Sequence, residues 1–174
     1  MKLLLFYAHT WWFKTASKSL PQAPDIEKED AIEKTVVVFF HAEAEDEEKG
    51  KSLLDKVVKN IKLLAGKFGT KSVVIHSFNH LSSSKASPEF SEQIIKQAAE
   101  KLQNAGYTVM CTPFGYFNEF KMHVGGESLA KVFKDVQNRF NGNPLKANRE
   151  NTGIEFNRCL DPSTMLEYCL WGIT

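Results

Sequence analysis

The chain has 174 residues, with 22 Lys+Arg against 21 Asp+Glu and a formal net charge of +1. That length suits one domain with a real core, and 43% hydrophobic with 25% charged residues excludes wholesale disorder. The near-neutral balance excludes a coat for nucleic acid held by bulk charge, and no apolar run can span a bilayer. Cys111, Cys159 and Cys169 are widely spaced and indicate neither a disulfide framework nor a zinc site. Nothing after Met1-Lys2 reads as a signal peptide, so a cytoplasmic protein without a membrane partner is expected.

Lys2 to His9 predicts a buried strand. Trp11-Trp12-Phe13 and a polar stretch with Pro21 and Pro24 predict a long loop from residue 10 to 33. Thr35 to Ala42 predicts a second strand, followed by an acidic run. From Lys51 to Phe68 the apolar residues Leu54, Val57, Val58, Ile61, Leu64 and Phe68 recur in steps of three and four, the spacing of an amphipathic helix that Gly69 stops. Ser72 to Ser77 predicts the third strand. Ser87 and Pro88 supply an N-cap and first-turn proline for a second helix that Gly106 ends. Tyr107 to Thr112 predicts the fourth strand. Phe117 to Val124 alternates as a fifth, with Asn118, Phe120, Met122 and Val124 on one face. A third helix is expected from Glu127 to about Phe140. The fold class is therefore α/β (α+β), a mixed sheet of about five strands with three helices, in a domain over residues 1–140. Residues 141–174 are expected to be a C-terminal tail with a short helix capped by Asp161.

The histidines gather at strand ends: His9, His41, His76, His80 and His123. Strand ends of sheet-containing folds collect ligands, and His80, between Asn79 and the hydroxyls of Ser82 to Ser84, is the foremost candidate. Pro113-Phe114-Gly115-Tyr116-Phe117-Asn118 joins two strands through an aromatic cluster, which either walls a site or packs a corner. Asn118 is a polar group on an apolar strand face. Charge is segregated: residues 25–48 hold ten acids against two lysines, and residues 49–71 hold seven lysines against one acid. Lys56, Lys59, Lys62 and Lys67 can share the solvent side of the first helix, where they either contact phosphates or are simply solvated. Glycine loops that cradle phosphates are absent, and so is a nucleophile elbow for Ser82 to Ser84.

MKLLLFYAH, HSFNHLSSSKASPEF and TPFGYFNEFKMHVGGESLAKVFK together resemble the editing domain of archaeal-type threonyl-tRNA synthetases, over roughly residues 1 to 140. The resemblance implies the fold of D-aminoacyl-tRNA deacylases, a homodimer, and metal-free hydrolysis of the ester that joins a wrong amino acid to the terminal adenosine, assisted by the ribose 2′-hydroxyl. No cofactor is implied. The expected partners are the aminoacyl-tRNA 3′ end, a second copy and threonyl-tRNA synthetase. His80 falls on the family's active-site histidine, Phe114, Gly115, Tyr116 and Phe117 on the wall that holds the adenosine, and His41 and Ala42 where the amino-acid side chain is read. Asn118 stands where the family has a catalytic lysine, and Lys131 where it has a glutamate, an exchange that keeps one positive charge. The expected activity is trans-acting removal of serine from threonine tRNA, or of a D-amino acid. His80 and Asn118 would position the 2′-hydroxyl and water, and Lys131 would supply charge. The alternative is a non-catalytic module that binds tRNA ends or a synthetase.

Overall fold

The computed structural model describes residues 1–136. They form β1 (Lys2–Lys18), β2 (Glu29–His41), α1 (Gly50–Lys67), β3 (Ser72–Ser77), α2 (Pro88–Asn104), β4 (Thr108–Cys111), β5 (Tyr116–Val124) and β6 (Lys131–Asp135). The strands make one mixed sheet in the order β4-β3-β2-β1-β5, with β6 also beside β1. β2, β3 and β4 run parallel, and every strand beside β1 is antiparallel to it. Among the described residues no helix is long and apolar enough to cross a membrane.

The helices form where the apolar spacing predicts them. Ser87 caps α2 by accepting a hydrogen bond from the Phe90 amide, with Pro88 in the first turn. Gly69 and Gly106, just past the two helices, take positive φ.

Two expectations are corrected. Residues 10–33 are a hairpin: β1 continues to Lys18, β2 starts at Glu29, and their pairing runs from Lys2↔His41 to Lys14↔Glu29. Trp11, Phe13 and Thr15 alternate inward and are buried, so this chain's own sheet takes up much of the aromatic cluster. Trp12 points the other way, with its indole N–H on Glu29 and the Lys121 ammonium over its ring. The second correction is the third helix. Ser128–Ala130 is a single 3-10 turn, and Lys131–Asp135 is a strand. β5 occupies the free edge of β1 only from Ala8 onward, and β6 satisfies the backbone groups of Lys2 to Phe6 that β5 leaves open. Among the described residues there are thus six strands and two helices, rather than about five and three. The tail expected over residues 141–174 lies outside the described residues.

Strand alternation divides the interior in two. On one face, Leu3, Leu5, Val36, Val38, Phe40, Val73 and Ile75 pack under α1 and α2 in an aliphatic core. On the other face, Phe6, Ala8, Trp11, Phe13, Val37, Phe39 and Val74 form a second, aromatic cluster. The sheet is rolled around this cluster. Three strand steps in a flat sheet span about 14 Å. Yet the ring centroids of Phe120 on β5 and His76 on β3 lie 5.6 Å apart.

Candidate active site

Phe39 is the centre of the aromatic face. Its ring centroid lies 5.7 Å from Phe6, 5.1 Å from His76, 5.1 Å from Phe78 and 5.5 Å from Phe120, all but the last near perpendicular. Edge-to-face geometry places the electropositive ring edge against a neighbour's face. His76 sits inside this group, 5% exposed, with Nδ1 3.0 Å from the Thr112 hydroxyl. Burial pushes its pKa down to about 4, so at neutral pH it is an uncharged part of the floor.

His80 follows β3 in a tight turn and stands at one edge of this floor. Its imidazole is exposed and packs edge-on against Phe78, 5.2 Å between centroids. Lys131 approaches from the other side. It opens β6, paired with Phe6, and register partners in an antiparallel pair project to the same face. Asn118 lies on β5, two residues from Phe120 and on the same side of the strand. Its amide nitrogen donates to the Tyr116 carbonyl (3.1 Å), and its Oδ1 is buried without a partner among the described residues. By strand parity Asn118 and Lys131 project from the side of the sheet that carries the aromatic cluster, opposite Thr15 and Phe6 of β1, and His80 lies beside Phe78 after β3. A helix over Lys131 would not have imposed that placement.

The other expected residues are placed differently. Phe114 packs against the aliphatic core under the helices. Gly115 has φ +78, and its carbonyl accepts from the amides of Ser19 and Leu20 (2.8 and 3.2 Å). A Cβ there would lie 3.0 Å from the Cβ of Ala23. The Tyr116 hydroxyl donates to the Pro24 carbonyl (2.7 Å) and accepts from the Ile26 amide (2.8 Å). Gly115 and Tyr116 thus fasten the β1–β2 hairpin loop. Phe117 is 60% exposed, on the side of β5 opposite Asn118. Tyr116→Phe is expected to cost about 1–2 kcal/mol, since it removes a donor and leaves the Ile26 amide without its acceptor; urea unfolding measures it.

His41 and Ala42 end β2 fully buried. Ala42 belongs to the aliphatic core, and both ring nitrogens of His41 are bonded within the chain, to the Leu81 amide and the Ser84 carbonyl. Beside them, Glu43 accepts from the Ser82 hydroxyl (2.7 Å) and meets the Met1 ammonium (2.6 Å). Burial works against the charge of Glu43, but the hydrogen bonds from the ammonium and from Ser82 more than offset it, so its pKa is held below the ordinary carboxylate value. Lys56, Lys59, Lys62 and Lys67 lie on α1, which covers the opposite face of the sheet. Lys62 stands 6.0 Å and Lys71 4.3 Å from the Tyr107 ring. A shallow groove of about 340 Å³ runs between Asp55, Val58, Lys59, Lys62 and Leu63 on this helix side, away from the aromatic face.

Sequence reading left Phe39, Phe120 and Trp11 out of the site. The signal for them was strand parity: odd-numbered residues of β2 share a face with His41, and even-numbered residues of β5 share one with Asn118.

A rolled mixed sheet with two helices on one face and an aromatic cluster on the other defines a mixed α+β fold that a solved structure shares. A solved structure titled c-Myc DNA Unwinding Element Binding Protein superposes with a TM-score of 0.55 at 13% identity, covering 78% of this chain and 98% of that one. Residues 1–136 match the model of the archaea-specific editing domain of threonyl-tRNA synthetase, and the chain belongs to that family. Among curated relatives, the threonine–tRNA ligase of Thermococcus sibiricus is 29% identical over 139 residues, covering 78% of this chain and 22% of the ligase. That of Hyperthermus butylicus is 29% identical over 143 residues, covering 79% and 23%. The chain thus spans less than a quarter of the length of these ligases.

Proposed function

We propose that this chain is an aminoacyl-tRNA deacylase, hydrolysing the ester between a wrongly attached amino acid and the terminal adenosine of tRNA. The observation that carries the reading is the family match over residues 1–136, together with Asn118 and Lys131 on the aromatic side of the sheet and His80 beside Phe78. Water adds to the ester carbonyl carbon, the bond from that carbon to the ribose oxygen breaks, and the proton lost by the water ends on the departing ribose oxygen. His80, exposed and able both to accept and to donate, orients the 2′-hydroxyl and the water. Lys131 supplies positive charge toward the developing oxyanion. Asn118 carries no titratable proton, so it serves by hydrogen bonding alone. The favoured substrates are seryl-tRNA(Thr) and D-aminoacyl-tRNAs, a small side chain being what a second sieve admits. Half-exposed Phe133 and Phe120 give the same face apolar area for pairing with a second copy.

The test is incubation of the full chain with seryl-tRNA(Thr), threonyl-tRNA(Thr) and D-aminoacyl-tRNAs. Release of serine or a D-amino acid well above the buffer rate, with threonine retained, is the expected result. Asn118 favours one rival, because its amide nitrogen already donates to the Tyr116 carbonyl and its Oδ1 is buried. Salt-sensitive tRNA binding without any turnover would turn the reading toward a non-catalytic tRNA-end or synthetase-binding module.

A further inference from the structure

We infer that His41 is a positioning residue, whose two ring nitrogens hold in place the loop that presents His80. The inference rests on the deacylase reading for its kinetic consequences, but its geometry is independent of it. His41 is 0% exposed at the end of β2. The Leu81 amide can only donate, so Nδ1, 3.2 Å away, must be the accepting nitrogen. The Ser84 carbonyl can only accept, so Nε2, 2.7 Å away, must carry the hydrogen. The two partners fix one neutral tautomer and leave the ring no free nitrogen for a ligand. Leu81 is the residue directly after His80.

The residues around His41 act on the same loop. Glu43 accepts from the Ser82 hydroxyl, the Ala44 amide donates to the Ser84 hydroxyl (3.2 Å), and the Ala86 amide donates to the Ala42 carbonyl (3.0 Å). Four consecutive residues of β2 and its exit, His41 to Ala44, therefore grip residues 81–86. On the other side of His80, the Phe78 amide donates to the Phe40 carbonyl (2.9 Å) and the Phe78 ring meets the imidazole at 5.2 Å between centroids. An exposed imidazole on a turn has no rigid element of its own. Its position is set between two anchors on β2, Phe40 through the Phe78 amide before it and His41 through the Leu81 amide directly after it.

A positioning group and a substrate-reading group leave different kinetic marks. Displacing a reacting group by about an ångström costs rate at saturation, roughly 10- to 100-fold, without weakening substrate binding. His41→Leu is therefore expected to lower the saturating single-turnover rate on aminoacyl-tRNA by roughly 10- to 100-fold. The half-saturating enzyme concentration and the preference between seryl- and threonyl-tRNA(Thr) should hold within about threefold. His41→Asn, whose amide oxygen lies near the position of Nδ1, should recover a good part of the rate. Hydrogen exchange supplies a readout that needs no activity. In His41→Leu the Leu81 amide should exchange at least about tenfold faster, while the core amides of β2 and β3 keep their protection. Unchanged Leu81 exchange would overturn the inference. So would a shifted half-saturation or altered seryl/threonyl preference at an unchanged saturating rate, which would make His41 a reader of substrate. Absence of turnover in the unsubstituted chain would sink the deacylase reading alone, since the Leu81 exchange still decides the latch. If His41→Leu does not fold, His41→Asn and His41→Gln, each keeping one of the two bonds, are compared instead, and only His41→Asn should preserve Leu81 protection.

Discussion

Replacing His80 with alanine is expected to lower single-turnover deacylation by roughly 10²- to 10⁴-fold and to leave unfolding free energy within about 0.5 kcal/mol. The two halves of this expectation come from the same observation. The imidazole is exposed, meets the Phe78 ring, and contributes no hydrogen bond to the fold among the described residues. Its removal therefore leaves no cavity in either core and no buried group unpaired. What it removes is the group at the rim of the aromatic face that can take up and return a proton. Labelled amino acid released from seryl-tRNA(Thr) measures the first half, and urea unfolding followed by circular dichroism the second. A variant as active as the parent would take His80 out of the chemistry and leave Lys131 and Asn118 to account for any hydrolysis.

The second large effect is on acid stability. His76 has a pKa of about 4 in the folded chain, lowered by burial from 6.5. The unfolded chain takes up this proton as pH falls below 6.5, while the folded chain refuses it until about 4. Stability is thus fully present above pH 6.5 and declines between 6.5 and 4, by about 3 kcal/mol in all. Replacing His76 with Phe and Thr112 with Val together removes the titrating ring without stranding the Thr112 hydroxyl, and should flatten this part of the profile. Denaturant unfolding at pH 7 and pH 4.5 checks it; an equal drop in the parent and the double variant would acquit His76. Glu43 acts in a separate range. Its pKa is lowered, so its contribution is present above the ordinary carboxylate value of 4.5 and is lost as pH falls below it.

The elements written in local spacing were legible to within a residue or two: the three-and-four step of α1, the serine-proline start of α2, and the β-branched run of β3. What was not legible was set by distant partners. Leu129, Val132, Phe133 and Val136 fit a helical stripe, but the open edge of β1 at Lys2 to Phe6 claims residues 131–135 for a ladder, leaving Leu129 and Phe133 about half exposed. Residues 10–18 looked like loop because their strand partner, Glu29 to Glu33, is acidic and solvent-facing rather than apolar. The candidate site divides in the same way. Position after a strand and a hydroxyl-rich sequel singled out His80, which stands exposed beside Phe78. The employment of Tyr116 could not be found this way, because its hydroxyl serves Pro24 and Ile26, some ninety positions earlier in the chain. His41, likewise, shows nothing in its own neighbourhood of the loop it holds.

The rolled sheet gives neighbouring positions in a strand different owners. Val38 and Phe40 answer to the helices, whereas Val37 and Phe39, one residue away, answer to whatever the aromatic face receives. A substitution on one side is thereby insulated from the other by a layer of backbone that neither side chain crosses. Such a chain can exchange a lysine for an asparagine, or a glutamate for a lysine, around the aromatic face while its aliphatic half goes on folding as before. Recognition can drift through many sequences on a scaffold that does not feel the change.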